Sequence, residues 1–220
     1  MISILMPSRS RPEFVKRAVD SIANTMSNSA NVELILRVDQ DDQSNYMGCF
    51  DGIPKSKIVI RETTFPDMGK LWNEAFSYCT GDIVQMGADD IFYHTPDWDL
   101  IVEEEFRKCG DKILLVWGKD GGHNNLLSTH GFVSRKWVET VGYFSPPYGM
   151  VYGNDDWVFL IARELGRQKY LPDMFIEHQR EGIGTRRLRQ FKQLSTEQVY
   201  SEWGRLLRQK AVDKLRKEMK

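Results

Sequence analysis

Two adjacent carboxylates, Asp89 and Asp90, are the residues of this sequence whose types and position most directly indicate chemistry. They follow an apolar run that contains Ile83 and Val84, and such a run is typical of a buried strand. Open α/β sheets bind ligands beyond the carboxyl ends of their strands. Because Mg²⁺ and Mn²⁺ prefer oxygen ligands and phosphate partners, the pair predicts a divalent-cation site there. A polar turn that caps the next helix is the alternative.

A second acidic cluster, Asp39 with Asp41 and Asp42, also follows an apolar run. A carboxylate at this position would accept a hydrogen bond from a nucleobase N–H or a ribose hydroxyl. Asp39 is favoured because it lies nearest the predicted strand end. A solvated turn is the alternative interpretation.

A third cluster, Asn154-Asp155-Asp156, opens a predicted helix directly after a loop that is rich in Pro and Gly. Acidic residues at a helix N-terminus commonly only cap the helix. Loops on rigid scaffolds also carry function, so a carboxylate here is a candidate general base for a hydroxyl group. Trp157 would give such a site an apolar stacking wall.

His178 lies at the end of an extended piece, where its imidazole would complete a carboxylate-bound metal site or serve structure alone. The other histidines show no ligand spacing and are interpreted as structural: His94, His123 and His130. Three cations are placed for a phosphate contact or for a solvated surface: Arg9, Arg11 and Lys70.

Strands and helices alternate in the first half of the chain, which predicts a mostly parallel sheet. The pattern places strands at 2–6, 32–38 and 57–61, and helices at 12–26 and 67–79. A fourth strand leads to Asp89. Both acidic clusters of this half therefore fall on the edge where such sheets bind ligands.

The second half is predicted to contain more helices and shorter strands. Thr95 is expected to cap a helix whose first residue is Pro96. The pattern also predicts a strand at 112–117, a helix at 135–141 and a helix from Asn154 that stops at Gly166. Brief extended pieces are predicted at 169–171 and 174–176. Two loops, 118–127 and 145–153, are expected to close over bound ligands.

The composition is that of an ordinary globular protein, with 41% hydrophobic and 28% charged residues in 220. Three cysteines without a CxxC spacing argue against a disulfide framework and a zinc site. The N-terminus lacks the basic and apolar regions of a signal peptide, and no apolar run approaches the ~20 residues of a membrane span. These features predict a cytoplasmic protein.

The charge is distributed unevenly along the chain. Residues 185–220 hold 11 Lys/Arg and 4 Asp/Glu, while the other 184 residues hold 19 and 27. Apolar residues of this tail recur at helical spacing: Val199, Trp203, Leu206, Leu207, Ala211, Leu215 and Met219. The sequence thus predicts a basic amphipathic helix that packs on the body, or docks on an anionic surface such as lipid headgroups or nucleic acid.

Three common signatures, G-x-G-x-x-G, G-x-x-x-x-G-K-[ST] and G-x-S-x-G, do not occur, which disfavours dinucleotide oxidoreductases, P-loop NTPases and α/β-hydrolases. In their order, the remaining pieces resemble a family 2 glycosyltransferase of the GT-A fold, in a compact bacterial- or phage-like form. The matching pieces, within about residues 2–180, are 2–7 with Arg11-Pro12, 33–39, 69–73, 81–90, 131–144, Asn154-Asp155-Asp156 and His178.

The resemblance implies an α/β GT-A-type (Rossmann-like) sheet flanked by helices in residues 1–184, followed by the basic tail 185–220. It implies inverting transfer from a UDP- or GDP-type sugar to a hydroxyl acceptor, with Mn²⁺ or Mg²⁺. The residues implied to bind the donor are Pro7, Arg9, Arg11, Asp39, Lys70, Asn73, Asp89 and Asp90. The metal ligands would be Asp89, Asp90 and His178, and the acceptor contacts Asn154 and Trp157.

Two departures from the family pattern affect these expectations. Gly87 stands where the family's Asp-x-Asp motif has its first Asp, and Asp155-Asp156 stands where the family has Glu-Asp. Asp156 is the expected base and Asp155 the reserve. The acceptor would be a glycan, a lipid-linked glycan or a nucleic acid, and a peripheral membrane location is compatible with the tail. The competing interpretations are a nucleotidyltransferase and a non-catalytic protein that binds nucleic acid or membranes.

Overall fold

The computed structural model describes residues 1–42, 44–62, 67–146, 152–179 and 197–219. The strands are β1 Ile2–Pro7, β2 Val32–Asp39, β3 Lys55–Arg61, β4 Ile83–Met86, β5 Ile91–Tyr93, β6 Leu115–Lys119, β7 Phe132–Ser134 and β8 Gln168–His178. The helices are α1 Pro12–Thr25, α2 Met68–Phe76, α3 Trp98–Lys108, α4 Arg135–Val141, α5 Asn154–Leu165 and α6 Glu202–Glu218.

The eight strands form one sheet in the order β3-β2-β1-β4-β7-β6-β8-β5. β1 pairs in parallel with β2 and β4, β2 with β3, and β6 with β8. β7 is antiparallel to both of its neighbours, and β5 is antiparallel to β8. The predicted mostly parallel α/β sheet is therefore confirmed, and the antiparallel β7 brings its first residues to the edge where β4 ends.

Helices cover both faces of the sheet. The residues of β1 show this, since they alternate between two hydrophobic clusters. Ile2, Ile4 and Met6 pack with residues of α1 and α3. Leu5 lies in the opposite cluster, which contains residues of α2, α4, α5 and α6. A central strand that is apolar on both faces is what a covered parallel sheet requires.

Several predicted boundaries were wrong in the second half of the chain. The helix predicted from Pro96 begins at Trp98, with Asp97 as its N-cap in a left-handed conformation. Thr95 instead accepts a hydrogen bond from the Phe175 N–H at 2.8 Å, so it ties this turn to β8. The strand predicted at 112–117 runs from Leu115 to Lys119 and thus includes the start of the predicted loop 118–127. β5 was not predicted as a separate strand.

The two extended pieces predicted around Pro172 form the single strand β8. The register with β6 shifts between Gly118 and Lys119, which pair with Leu171 and Phe175. Pro172 thus falls within the irregular stretch, where its missing N–H removes no regular ladder bond. A Cβ on Gly118 would stand 2.3 Å from the Met174 oxygen, so glycine permits this close approach.

The C-terminal helix α6 packs on the body of the protein against α4 and α5. Ala211, Val212 and Leu215 are buried, whereas Trp203 and Leu206 are 50% and 57% exposed. Trp203 and Leu206 of the predicted apolar stripe are therefore not buried against the body. Residues 180–196 lie outside the described part of the chain, so the division at 184 and 185 stays a prediction. Within the described ranges, no helix is both long and apolar enough to cross a bilayer.

Candidate nucleotide and metal site

The polar residues predicted at strand ends converge on one edge of the sheet. Ser8 follows β1, Asp39 ends β2, Asp89 and Asp90 follow β4, and His178 ends β8. The strands β1, β2, β4 and β8 point the same way in the sheet, so their carboxyl ends meet at this edge. The structure thus brings residues that are far apart in sequence to the edge where such sheets bind ligands.

Asp89 is 5% exposed and both of its carboxylate oxygens are engaged. Oδ2 accepts a hydrogen bond from the Ser8 hydroxyl at 2.7 Å, and Oδ1 lies 3.0 Å from the Arg11 Nη1. Burial raises the pKa of Asp89 to about 7, and the Arg11 charge opposes this rise. The charged form of Asp89 therefore depends on a nearby cation.

The backbone before Asp89 is fixed by packing at Gly87. The Trp72 indole N–H of α2 donates to the Gly87 oxygen at 2.9 Å. A Cβ on Gly87 would stand 2.7 Å from the Ile4 Cγ2 and 2.8 Å from the Leu5 oxygen. Since real Cβ atoms do not approach so closely, β1 leaves no room for a side chain here. Gly87 therefore lacks the carboxylate of the family's motif, and the packing of β1 also leaves no space for a larger residue at this position.

Asp90, His178 and His130 form a group beside Asp89. The His178 Nε2 lies 3.7 Å from the Asp90 Oδ1, and the pairing of Ile91 with His178 across β5 and β8 sets this distance. The His130 ring meets the His178 ring edge to face, with centroids 4.6 Å apart. The His130 Nδ1 is 3.1 Å from the Met86 oxygen, which fixes that ring at the end of β4.

Asp39 is buried between two guanidinium groups. The Arg9 Nη1 lies 2.6 Å from its Oδ2, and Arg37, which is 1% exposed, contacts Oδ1. Arg9 also forms a two-point ion pair with Asp41, at 2.7 Å for each contact, and these carboxylates raise the pKa of Arg9. Arg9 therefore holds the loops after β1 and β2 together.

Lys70 and Asn73 of α2 have different surroundings. The Lys70 Nζ lies 3.8 Å from Glu74, and Glu74 pairs with Arg37 at 2.8 Å, so alternating charges connect Lys70 to Asp39. The Asn73 side-chain oxygen accepts from the Phe144 and Ser145 N–H groups at 2.8 and 3.0 Å. Its amide nitrogen donates to the Ser145 oxygen at 2.8 Å, so Asn73 positions the following loop.

The start of α5 lies beside the same loop. Asn154 is 3% exposed and its side-chain oxygen accepts from the Ser145 hydroxyl. The Asp155 Oδ1 accepts from the Asp156 N–H at 3.0 Å, and Asp155 borders a narrow void with Met86 and Ser128. The Asp156 Oδ1 accepts from the Tyr200 hydroxyl at 3.0 Å.

Trp157, expected as an apolar stacking wall of this site, is buried in the structure. Its side chain is 1% exposed and belongs to the core below α5, because the third residue after the helix start turns inward. The burial of Asn154 likewise places its side chain against Ser145, away from solvent. Residues 147–151 of the predicted closing loop lie outside the described part.

Comparisons with known proteins give matches only among solved structures; no protein-family model and no curated protein matches the chain. S. aureus TarS 1-349 in complex with UDP-GlcNAc superposes with a TM-score of 0.65 at 15% identity, over 84% of this chain and 60% of that chain. The mannosyltransferase PcManGT from Pyrobaculum calidifontis, in complex with GDP-Man and Mn²⁺, gives 0.63 at 15% identity, over 86% and 59%. Glucosyl-3-phosphoglycerate synthase from Mycobacterium tuberculosis with Mg²⁺ and UDP gives 0.59 at 16% identity, over 84% and 73%.

The chain has the GT-A fold. It spans about 60% of the length of the first two of these relatives. Two of the GT-A structures were solved with a divalent cation.

The side-chain types at this edge of the sheet suit a divalent cation. Asp89 and Asp90 are oxygen donors of the type that Mn²⁺ and Mg²⁺ prefer, and imidazole such as that of His178 suits several transition metals. In the described ranges, no three His, Cys, Asp or Glu side chains stand grouped to hold a metal ion. In the structure the Asp89 carboxylate contacts Ser8 through Oδ2 and Arg11 through Oδ1.

Two residues of this edge were missed by sequence reasoning. Ser8 carried no signal beyond its place after β1, and His130 was interpreted as structural. His130 would have been found if β7 had been recognised as antiparallel to β4, because the start of β7 then lies at the end of β4. The carboxylates themselves were found because each follows an apolar strand directly.

Proposed function

We propose that the protein transfers a sugar from a nucleotide-sugar donor to a hydroxyl acceptor with inversion, assisted by a divalent cation. The observation that carries this proposal is the convergence of Asp39, Asp89, Asp90 and His178 at one edge of a GT-A sheet. Three proteins with this fold were solved with UDP-GlcNAc, GDP-Man or UDP. A UDP- or GDP-type donor follows from that similarity.

The nucleoside end of the donor is assigned to the ends of β1 and β2. Pro7 is buried at the end of β1 and pairs with Arg37, next to Asp39. Arg9 and Arg37 hold the Asp39 carboxylate in place, so it would meet a nucleobase or ribose already oriented. Lys70 and Arg11 are the cations assigned to the phosphates, and Asn73 positions the loop at 144–145.

The residues that would hold the cation are Asp89, Asp90 and His178. When bound, the cation would neutralise charge on the departing diphosphate as a Lewis acid. His130 would support His178 through their ring contact. The Met86 oxygen fixes the His130 ring, so the contact of His130 with His178 would not require a bound cation.

Asp156 is assigned as the general base, with Asp155 in reserve. The acceptor oxygen would attack the anomeric carbon as the bond from that carbon to the diphosphate oxygen breaks. Its proton would pass to the Asp156 carboxylate. The Tyr200 hydroxyl would orient this carboxylate, since a hydrogen bond fixes which oxygen faces the acceptor.

The acceptor would approach between the start of α5 and the C-terminal segment. A glycan, a lipid-linked glycan and a nucleic acid remain the acceptor classes, and residues 185–220 are proposed as a tail with an additional anionic contact. The exposed face of α6 carries Lys210, Lys214 and Lys217 together with Trp203 and Leu206. Such a face is suited to an anionic surface.

A release assay tests the proposed function. The protein is incubated with a panel of UDP- and GDP-sugars, with and without Mn²⁺, and free nucleoside diphosphate is measured. Release from one donor class, stimulated by Mn²⁺, is the expected result. Pyrophosphate formation from nucleoside triphosphates would indicate a nucleotidyltransferase instead. No nucleotide-dependent rise in thermal stability would favour a non-catalytic binding protein.

A further inference from the structure

The positively charged side chain of Arg11 contacts Asp89, which is one of the proposed metal ligands. The Arg11 Nη1 lies 3.0 Å from the Asp89 Oδ1. Asp89 is 5% exposed, and an ionised carboxylate at such a depth needs a compensating charge. Arg11 supplies that charge in the protein without ligands.

The second terminal nitrogen of Arg11 is not used in this pairing. Nη2 is buried and finds no hydrogen-bond partner among the described residues. A guanidinium group can form two parallel hydrogen bonds, and phosphate oxygens match this geometry. The Arg11 guanidinium also lies over the Phe14 ring, 4.0 Å from its centroid, so it has a support that is independent of Asp89.

A divalent cation on Asp89 would compete with Arg11 for the same carboxylate. The Ser8 hydroxyl already takes Oδ2, and Arg11 takes Oδ1. A cation on Oδ1 would repel the guanidinium, since like charges at contact distance disfavour each other. A donor diphosphate, which carries a negative charge on each phosphate, would offer Arg11 a new partner next to its present one.

From this geometry we infer that Arg11 holds the place of the metal on Asp89 in the ligand-free protein and moves to the donor diphosphate when the cation binds. This rests on the proposed function. Arg11 is then a positioning residue that makes cation binding weak alone and strong together with the nucleotide. Arg9 cannot take this role, because Asp39 and Asp41 hold its guanidinium.

The test compares Arg11→Gln with Arg17→Gln, which removes one positive charge from α1, the helix that directly follows Arg11. Arg17 is exposed and lies over the Phe92 ring at 4.7 Å. Binding of Mn²⁺ alone is measured by electron paramagnetic resonance, and binding of UDP in saturating Mn²⁺ by calorimetry. Thermal unfolding verifies that each variant is folded.

Arg11→Gln should bind Mn²⁺ alone about tenfold more tightly, because the cation no longer competes with the Arg11 contact to Asp89. The same variant should bind UDP in the presence of Mn²⁺ about tenfold more weakly, because the diphosphate loses a charge-assisted hydrogen bond from Arg11. Arg17→Gln should change the affinity for Mn²⁺ and the affinity for UDP by no more than about twofold each, because exposed charges contribute little. Unchanged or weaker Mn²⁺ binding by folded Arg11→Gln overturns the inference. If that variant does not fold, Arg11→Lys, which lacks the planar fork, must show smaller shifts with the same two signs.

The two proposals fail in different ways. A protein that binds Mn²⁺, with tighter binding in Arg11→Gln, but releases nucleotide from no donor would contradict the proposed transferase function. A protein that transfers sugar while Arg11→Gln loses affinity for both Mn²⁺ and UDP would retain that function. The second result would show that Arg11 only organises the site.

Discussion

The Tyr200 hydroxyl donates a hydrogen bond to the Asp156 Oδ1 at 3.0 Å. Tyr200 belongs to the C-terminal segment, and Asp156 lies in the first turn of α5. Burial and the Asp156 charge raise the pKa of Tyr200, so the hydroxyl stays protonated as a donor across the neutral range. The C-terminal segment therefore reaches the residue that we assign as the base.

Replacing Tyr200 by Phe should lower the turnover of transfer. The Tyr200 hydroxyl donates to one oxygen of the Asp156 carboxylate and so orients it. Without this hydrogen bond, kcat should fall roughly threefold, the equivalent of about 0.7 kcal/mol. Tyr170→Phe, which removes a hydroxyl from β8, is the control that should leave kcat in place. An unchanged kcat in Tyr200→Phe would show that Tyr200 does not orient the base.

Replacing Asp156 by Asn should abolish transfer while the donor still binds. The amide cannot accept the acceptor proton, and loss of a general base typically costs about 10²- to 10⁴-fold in rate. Asp155→Asn is the matched comparison, because its carboxylate contacts the Asp156 N–H. Turnover and UDP binding are measured for both variants. A larger loss of turnover in Asp155→Asn would move the base to Asp155.

The parallel half of the fold was predictable because its signals are local. β1, β2 and β4 are short, mainly apolar strands that are buried on both faces, and polar residues stand at or soon after the end of each. That pattern was sufficient to place Asp39, Asp89 and Asp90 on one edge. No long-range information was needed for these residues.

The antiparallel half was not predictable in the same way. The direction of β7 depends on its partners β4 and β6, and the three residues of β7 carry no sign of it. His130 was interpreted as structural because it shows no ligand spacing, and only the direction of β7 brings it to this edge. The partners of Asp89 were also hidden, since Ser8 and Arg11 reach it over more than 75 positions of sequence.

Replacing Gly87 by Ala should destabilise the protein, although alanine is a small residue. Its Cβ would stand 2.7 Å from Ile4 and 2.8 Å from the Leu5 oxygen, and overpacking of this kind costs about 1–3 kcal/mol. Gly110→Ala is the matched control, because nothing lies within 4 Å of a Cβ there. Thermal unfolding is the measurement. Equal unfolding midpoints for Gly87→Ala and Gly110→Ala would show that β1 moves to make room for the added methyl group.

Replacing Glu33 by Gln should lower stability in a pH-dependent way. Glu33 is 2% exposed, and its carboxylate accepts hydrogen bonds from Ser3, Thr80 and the Gly81 N–H. Burial alone would raise the pKa of Glu33, but these donors outweigh it and lower the pKa below its usual value. The charged carboxylate therefore stabilises the fold above the unfolded-state pKa, and this contribution is lost as the pH falls through the lower folded-state value.

An amide at position 33 would turn its own N–H₂ group toward these donors. The expected loss is about 1–3 kcal/mol at pH 7, since a buried donor is left unsatisfied. The difference from the natural protein should narrow below about pH 4, where the glutamate of the unfolded chain is itself protonated. Glu139→Gln, on the exposed side of α4, should change stability by less than about 1 kcal/mol at any pH. Urea unfolding from pH 3 to 8 measures both variants, and a pH-independent difference for Glu33→Gln would contradict the proposed role of its charge.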